Sequence, residues 1–320
     1  MKRIAVIRGG PSTEYAISMK TGGAILEAIR TLDMPYKDVV ITKGGEWLDG
    51  GIPRSPEKVL HAIDVVFIAL HGTYGEDGQI QRIIHRLGIP YTGSRAFPSA
   101  VAFNKHLTKE TLAPLGVETP KSRRVQAGEV TDIATLIDEL NATLGETLFI
   151  KPVADGSSYG ATKINDSVQL QRELPQILAT HPEVLVEEYI KGREATVGLL
   201  EDFRGERHYV LPVIELIPPE HAPFYDMTVK YNGETTRHCP GRFSTTEKVC
   251  LAELTILAHT ALGLSQYSRA DFIISDGVPY FLEINTLPGF TATSNYPAAA
   301  AAIGLSFPQL VAHLIDTATL

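Results

Sequence analysis

The sequence predicts a parallel α/β unit followed by α+β units built on antiparallel hairpins, and three observations carry that prediction. Near the N-terminus, short apolar strand patterns alternate with a helix-like spacing, which indicates a parallel sheet covered on both faces. Far downstream, Asp276-Gly277 separates two alternating apolar runs, a strong hairpin signal. At 320 residues the chain is too long for one comfortable core, so two or three domains are expected.

Taken in order, Ile4 to Ile7 read as a buried strand, Gly9-Gly10-Pro11-Ser12-Thr13-Glu14 as the loop beyond it, and Ile17 to Ile29 as a helix. Val39 to Ile41 and Val65 to Leu70 are further strands, and His71-Gly72 begins the loop at the carboxyl end of the second. Ligands of such sheets bind at these loops. Pro90 to Pro98 form a connector. Helical spacing follows over Ala100 to Leu115 and Asp132 to Leu144, with strands at Thr147 to Ile150, Ala161 to Ile164, Val184 to Glu188, Ala195 to Leu200 and Tyr209 to Ile217. Residues 218–243 are polar and rich in Gly, Pro and Tyr, which suits a functional lid or a disordered segment. A helix over Thr246 to Leu262 precedes the hairpin, and Ala298 to Leu314 close the sequence as a helical segment.

Hydrophobic content of 44% and charged content of 21% describe an ordinary globular protein. The net charge of −8 leans against nucleic acid or an anionic membrane as main partner. Cys239 and Cys250 are too few for a structural zinc site or a disulfide framework, and suit thiols in a reducing compartment. No apolar run approaches the ~18 residues of a membrane span, and the run at Met1 is too short for a signal-peptide core. A cytoplasmic protein is expected.

The chemistry concentrates in the hairpin. Residues two apart on a strand share a face, so Arg269 and Asp271 pair on one strand, and Glu283 and Asn285 on the other. If Asp271 stands opposite Glu283, all four groups converge; a one-residue slip would separate them. Asp271, Glu283 and Asn285 are hard oxygen ligands of the kind Mg²⁺ takes when it also holds phosphates. Upstream, Lys151 ends a strand before Gly156-Ser157-Ser158-Tyr159-Gly160, a turn that either wraps a triphosphate with backbone N–H groups or is a plain hairpin loop. Lys105 is either a second phosphate cation or a solvated lysine. Val184 to Glu194 run into Glu187, Glu188, Tyr189 and Ile190, a segment able to meet an adenine edge and ribose hydroxyls, or simply a polar strand end. His71 is a site residue or a strand cap, and Glu14 could hold an ammonium group. The Gly-x-Ser-x-Gly spacing around Ser158 lies in a hairpin rather than a strand-to-helix turn, which argues against a hydrolase. Neither dinucleotide nor P-loop fingerprints are present.

Several motifs then occur in a fixed order: Gly9-Gly10 through Glu14 and Ser18; His71-Gly72 through Gly75-Glu76-Asp77-Gly78 and Gln81; Pro90 to Ser94; Lys105; Lys151-Pro152 with Gly156-Ser157-Ser158; Glu187 to Glu194; Tyr225-Asp226 through Lys230-Tyr231; Arg269 with Asp271; and Glu283 through Asn285, Pro288 to Thr291 and Ser294. With them the chain resembles the ATP-grasp superfamily and, within it, the D-alanine–D-alanine ligase family, over nearly its whole length. The resemblance implies an ATP-grasp fold in three domains. These would be a parallel-sheet N-terminal domain over 1–94, a central α+β subdomain over 95–188, and a C-terminal antiparallel-sheet α+β domain over 189–320 with a lid at about 218–243.

It also implies an activity. ATP would phosphorylate one D-alanine carboxylate, and the amine of a second D-alanine would attack the acyl phosphate, giving a dipeptide for peptidoglycan. Glu14 would hold the first ammonium, helped by His71. Lys105, Lys151, Lys230 and the Gly156-Ser157-Ser158 turn would bind phosphates. Glu187 to Ile190 would meet the adenine and Glu194 the ribose. Asp271, Glu283 and Asn285 would ligate two Mg²⁺ or Mn²⁺, with a monovalent cation possible. Arg269, the Gly289 backbone and Ser294 would stabilise the oxyanion and the second carboxylate, with Asn295 beside them, and Ser157 and Tyr231 would join Glu14 in a network locking the lid. Homodimerisation is implied, and neither nucleic acid nor membrane. The chain departs from the family pattern at Tyr15, Ala16, Arg82 and Asn295. Tyr231 favours an amine nucleophile, since lactate-using relatives look different there. The competing readings are a ligase with D-lactate, D-serine or another amino acid as second substrate, and a nucleotide sensor, for which an oxyanion-directed arginine has no purpose.

Overall fold

The computed structural model describes residues 1–156, 160–219, 234–291 and 293–320. In the first sheet, β1 (Ile4–Gly9) lies between β2 (Tyr36–Ile41) and β5 (Val65–Ile68), parallel to both. Short antiparallel strands β3 (Trp47–Asp49) and β4 (Ile52–Pro53) extend one edge. β5 and the Ile4–Ile7 part of β1 are apolar and buried, as strands of a sheet covered by helices are. Helix α1 (Tyr15–Thr31) turns Ile25, Leu26 and Ile29 inward at helical spacing. Two more helices belong here, α2 (Pro56–Val59) and α3 (Gln79–Arg86).

The helix expected over Ala100 to Leu115 is two, α4 (Ala96–Phe103) and α5 (Lys105–Leu112). Asn104 separates them with extended backbone, and its side chain accepts from the Leu107 N–H. Such a capping residue competes with the helix for its own backbone bonds. The break sets Lys105 at the start of α5.

The second sheet joins β6 (Ser122–Gln126), β7 (Leu148–Pro152), β8 (Thr162–Ile164) and β9 (Glu183–Glu188) in the antiparallel order β6-β9-β7-β8. Helices α6 (Ile133–Leu144) and α7 (Ser167–Thr180) start at Asp132 and Asp166, each capping with its carboxylate. Polar β6 carries no apolar strand pattern, and Pro175 inside α7 obscures that helix.

The third sheet runs β13-β12-β10-β14-β15, from β10 (Arg193–Phe203), β12 (Ile214–Ile217), β13 (Thr236–His238), β14 (Tyr267–Ser275) and β15 (Val278–Asn285). Strand β11 (Glu206–Val210) pairs with β10 alongside β12. The single strand expected over Tyr209 to Ile217 is therefore two, broken at Leu211-Pro212-Val213, where proline has no N–H to give a ladder. The Asp276-Gly277 turn has both residues left-handed, φ +49° and +81°, as a two-residue hairpin requires. Helix α8 (Thr245–Ala261) begins with a Ser244–Glu247 capping box. The closing segment is again two helices, α9 (Asn295–Ala302) and α10 (Phe307–Asp316), parted at Gly304 with φ +80°. Within the expected lid, Thr236–His238 is a strand on β12. Tyr225, Asp226, Lys230 and Tyr231 lie outside the described residues, as do Ser157, Ser158 and Tyr159.

Among the described residues three apolar cores result. One joins the first sheet to Phe290, Tyr296 and the inner face of α10. A second packs α4, α5 and α8 against β10, β14 and β15, and a third lies under α6 and α7. Among the described residues no single helix is long and apolar enough to cross a membrane.

Candidate active site

The loops beyond β1 and β5 meet first. Ser18 Oγ accepts from the Gly9 N–H at 2.8 Å and donates to the Ala69 carbonyl at 2.7 Å, tying α1 to both strand ends. This places Glu14, buried at the N-terminal cap of α1. Its Oε2 lies so close to two glycines that an added Cβ would stand 2.8 Å away at Gly72 and 2.2 Å away at Gly156. Buried His71 donates from Nδ1 to the Leu287 carbonyl at 3.0 Å, since a carbonyl only accepts. Its Nε2 lies 2.8 Å from Thr21 Oγ1. His71 thus ties the loop after β5 to the segment after β15. Glu76 accepts the Gly72 N–H at 2.9 Å. Burial, reinforced by Glu14, pushes its carboxyl up to about 8, so Glu76 is neutral at neutral pH.

The hairpin register sets Arg269 opposite Asn285 and Asp271 opposite Glu283, with an irregularity just after Asp271. Arg269 grips Asp271 with two parallel bonds, Nε to Oδ1 at 2.9 Å and NH2 to Oδ2 at 2.7 Å, the strong bidentate geometry. Thr196 of β10 donates to the same Oδ1 at 2.5 Å, and Asn285 Nδ2 to Oδ2 at 3.3 Å. That orientation keeps the Asn285 amide oxygen as an acceptor. Glu283 faces Lys105 at 3.3 Å, and Lys105 also donates to the Asp155 carbonyl at 2.8 Å. Two carboxylates and one amide oxygen fit a hard divalent ion whose remaining ligands are phosphate oxygens and water. Among the described residues no cluster of three or more His, Cys, Asp or Glu forms a complete protein cage.

Lys151 pairs with Glu187 at 2.8 Å, and Lys109 of α5 pairs with the other oxygen of the same carboxylate. Burial would raise the Glu187 carboxyl, but Lys151 and Lys109 together outweigh it and hold it low. Glu188 accepts the Lys121 N–H, and Tyr189 carries Lys163 over its ring at 4.0 Å. Glu194 and Ile190 line the same cleft. At the other end, Ser294 Oγ accepts the Thr291 N–H at 3.1 Å beside Gly289, and Asn295 Oδ1 accepts from Arg237 at 3.2 Å.

Two cavities formed by the described residues adjoin this site. One of about 440 Å³ runs from Glu14, His71 and Glu76 to Gly289 and Ser294. One of about 420 Å³ runs from Lys151 and Glu187 to Glu194 and Asp271. They meet at Lys105, Asp155, Arg269, Glu283 and Asn295.

A profile described as D-ala D-ala ligase C-terminus matches residues 112–316, and one described as D-ala D-ala ligase N-terminus matches residues 50–94. A D-alanine–D-alanine ligase of Anaeromyxobacter dehalogenans (strain 2CP-C) is 36% identical over 324 residues, covering 100% of this chain and 97% of that protein. The chain belongs to the D-alanine–D-alanine ligase family. Two solved structures are similar throughout. The D-alanine–D-alanine ligase of Bacillus anthracis complexed with ATP has a TM-score of 0.80 and 31% identity, with 99% of this chain and 97% of that chain covered. The VanG D-Ala:D-Ser ligase of Enterococcus faecalis has a TM-score of 0.80 and 32% identity, with 98% of each chain covered.

In this D-alanine–D-alanine ligase family member, Thr21, Thr196, Arg237 and above all Lys109 carry no role in the sequence patterns, and Glu76 stands in a motif without one. Lys109 had a signal: it lies four residues after Lys105, hence on the same helix face. Thr196 had none, because its place depends on the register of β10 with β14.

Proposed function

We propose that this protein ligates two D-alanines to D-alanyl-D-alanine at the expense of ATP, for peptidoglycan precursor synthesis. The carrying observation is the junction of two cavities at Lys105, Arg269 and Glu283 in a chain of this family. The nucleotide takes the cavity of Lys151 and Glu187, with the backbone of Glu187 to Ile190 on the adenine and Glu194 on the ribose. Lys105, Lys151, Lys230 and the Gly156-Ser157-Ser158 turn neutralise phosphates. Glu14, with His71 beside it, holds the first D-alanine's ammonium, which leaves its carboxylate at the junction. That carboxylate oxygen forms a bond to the γ-phosphorus as the β–γ bridging P–O bond breaks and ADP leaves. The second D-alanine's amine then attacks the acyl carbon, and collapse of the tetrahedral centre expels phosphate. Arg269, the Gly289 N–H and Ser294 stabilise the developing oxyanion and second carboxylate, an effect worth about 3 kcal/mol per donor in a dry site. Asp271, Glu283 and Asn285 would hold two Mg²⁺ or Mn²⁺, which neutralise phosphate charge when bound. Ser157 and Tyr231 would join Glu14 in locking a lid, whose closure would keep water from the acyl phosphate.

The same reading includes a homodimer in the cytoplasm, a monovalent cation as a further ligand, and division of the chain near residues 94 and 188. One observation favours a second reading. The amide of Asn295, held by Arg237, makes the far end of the substrate cavity polar, which suits a second substrate such as D-serine or D-lactate. Mass spectrometry of products from ATP, Mg²⁺ and a mixed pool of D-amino acids and D-lactate decides between them. D-alanyl-D-alanine as main product supports the first reading. A D-Ala–D-Ser or D-Ala–D-lactate product supports the second, and ATP binding without any ligation product overturns both.

A further inference from the structure

Lys109 is among the most deeply buried charged groups of the chain, 4% exposed. Its Nζ is ion-paired with Glu187 and donates to the Pro120 carbonyl at 2.8 Å. The other Glu187 oxygen lies 2.8 Å from Lys151 Nζ. Two ammonium groups and one carboxylate therefore share one buried site, with a local charge of +1. Buried ion networks are seldom kept for stability alone, since apolar residues of similar volume often serve as well. What this network fixes is where the surplus positive charge sits. With Lys109 present, the two lysines share Glu187 and carry one charge more than it cancels, and Lys151 is the lysine of the two that lines the nucleotide cavity. With Lys109 gone, Glu187 and Lys151 would close into a neutral pair, and drawing Lys151 toward a phosphate would strand a buried carboxylate.

We infer that Lys109 is a positioning residue for nucleotide binding, which acts through Glu187 to keep Lys151 available to the phosphates. The inference rests on the proposal above that Lys151 meets the triphosphate. The groups facing Lys109 are Glu187, Lys151 and, farther off, Glu188. Burial lowers its ammonium to about 8 against the pull of Glu187. Above that pH the site loses its surplus charge.

The test is ATP affinity of the full-length protein by calorimetry, with KM for ATP and for D-alanine measured alongside. Lys109→Met should weaken ATP at least ~10-fold and leave the D-alanine KM within ~3-fold, whereas Lys109→Arg should keep ATP binding near wild type. The double variant Lys109→Met/Glu187→Gln removes the carboxylate that would hold Lys151 back and should bind ATP at least ~3-fold more tightly than Lys109→Met. Where Lys109→Met does not fold, the double variant and the wild-type pH profile carry the test. Wild-type affinity for ATP should also fall as pH rises through 8, and the double variant should lack that step. A folded Lys109→Met with normal ATP affinity, a folded double variant that stays ~10-fold weak, or a wild-type profile flat across pH 8 overturns the inference. Lys151→Met separates the two levels. If it leaves ATP binding intact, the phosphate role of Lys151 is wrong; if it weakens ATP while Lys109→Met does not, only the role of Lys109 is wrong.

Discussion

Replacing Gly156 by alanine tests how the first substrate is positioned. A Cβ there would stand 2.2 Å from Glu14 Oε2, with Glu14 Cδ at 3.1 Å and the Gly72 Cα at 3.5 Å. An unstrained carbon–oxygen contact needs roughly 3.3 Å, so the carboxylate must retreat by roughly 1 Å. Gly156 is not one of the glycines with positive φ, so alanine adopts its backbone without strain and the fold should be little affected. Positioning is another matter, because a misplacement of about 1 Å costs on the order of 10²-fold, or about 2.7 kcal/mol, in a site that works by alignment. ADP release measured against D-alanine concentration, at saturating ATP, should show kcat/KM for the first D-alanine reduced about 10²-fold. Unchanged D-alanine kinetics in a normally folded variant would refute the idea that Glu14, pinned between Gly72 and Gly156, sets the first ammonium.

Three further outcomes are expected. Arg269→Ala should lower kcat at least ~10²-fold while ATP still binds; near-normal turnover would remove its oxyanion role. Glu283→Gln should shift the Mg²⁺ titration of activity to higher concentration, and an unmoved titration would argue against ligation. Glu76 keeps its proton in the folded protein up to about pH 8 but has an ordinary value of 4.5. The folded state therefore holds the extra proton across that window, and the stability from Glu76 falls as pH rises from 4.5 toward 8. Denaturant midpoints at roughly pH 5 and pH 8.5 should converge in Glu76→Gln relative to wild type.

The hairpin could be read because everything that defines it is local. Asp276-Gly277 fixes the turn, and strand alternation then aligns Arg269, Asp271, Glu283 and Asn285. The buried strands of the first sheet were equally plain, since both faces are covered and the residues read as apolar runs. Breaks within elements were harder. Asn104 and Gly304 each divide one run of helical spacing into two helices, and Pro212 divides a strand. There the apolar periodicity continues past the break, and only the capping and donor chemistry marks it. Least legible were partners fixed by tertiary register or distant loops. Thr196 reaches Asp271 across two strands, Leu287 meets His71, and Lys109 finds Glu187 in another sheet. No local pattern encodes such meetings.

The inner face of α10 completes the same core as β1, with Leu310, Val311, Leu314 and Ile315 fully enclosed there. The Tyr91 backbone N–H also donates to the Thr319 carbonyl, and Lys2 faces Asp316 at 3.5 Å. The strands made earliest therefore wait for a helix made long afterwards, and nascent chains would carry an open greasy cleft until that helix emerges. This core reaches its full burial only when the last helix has left the ribosome.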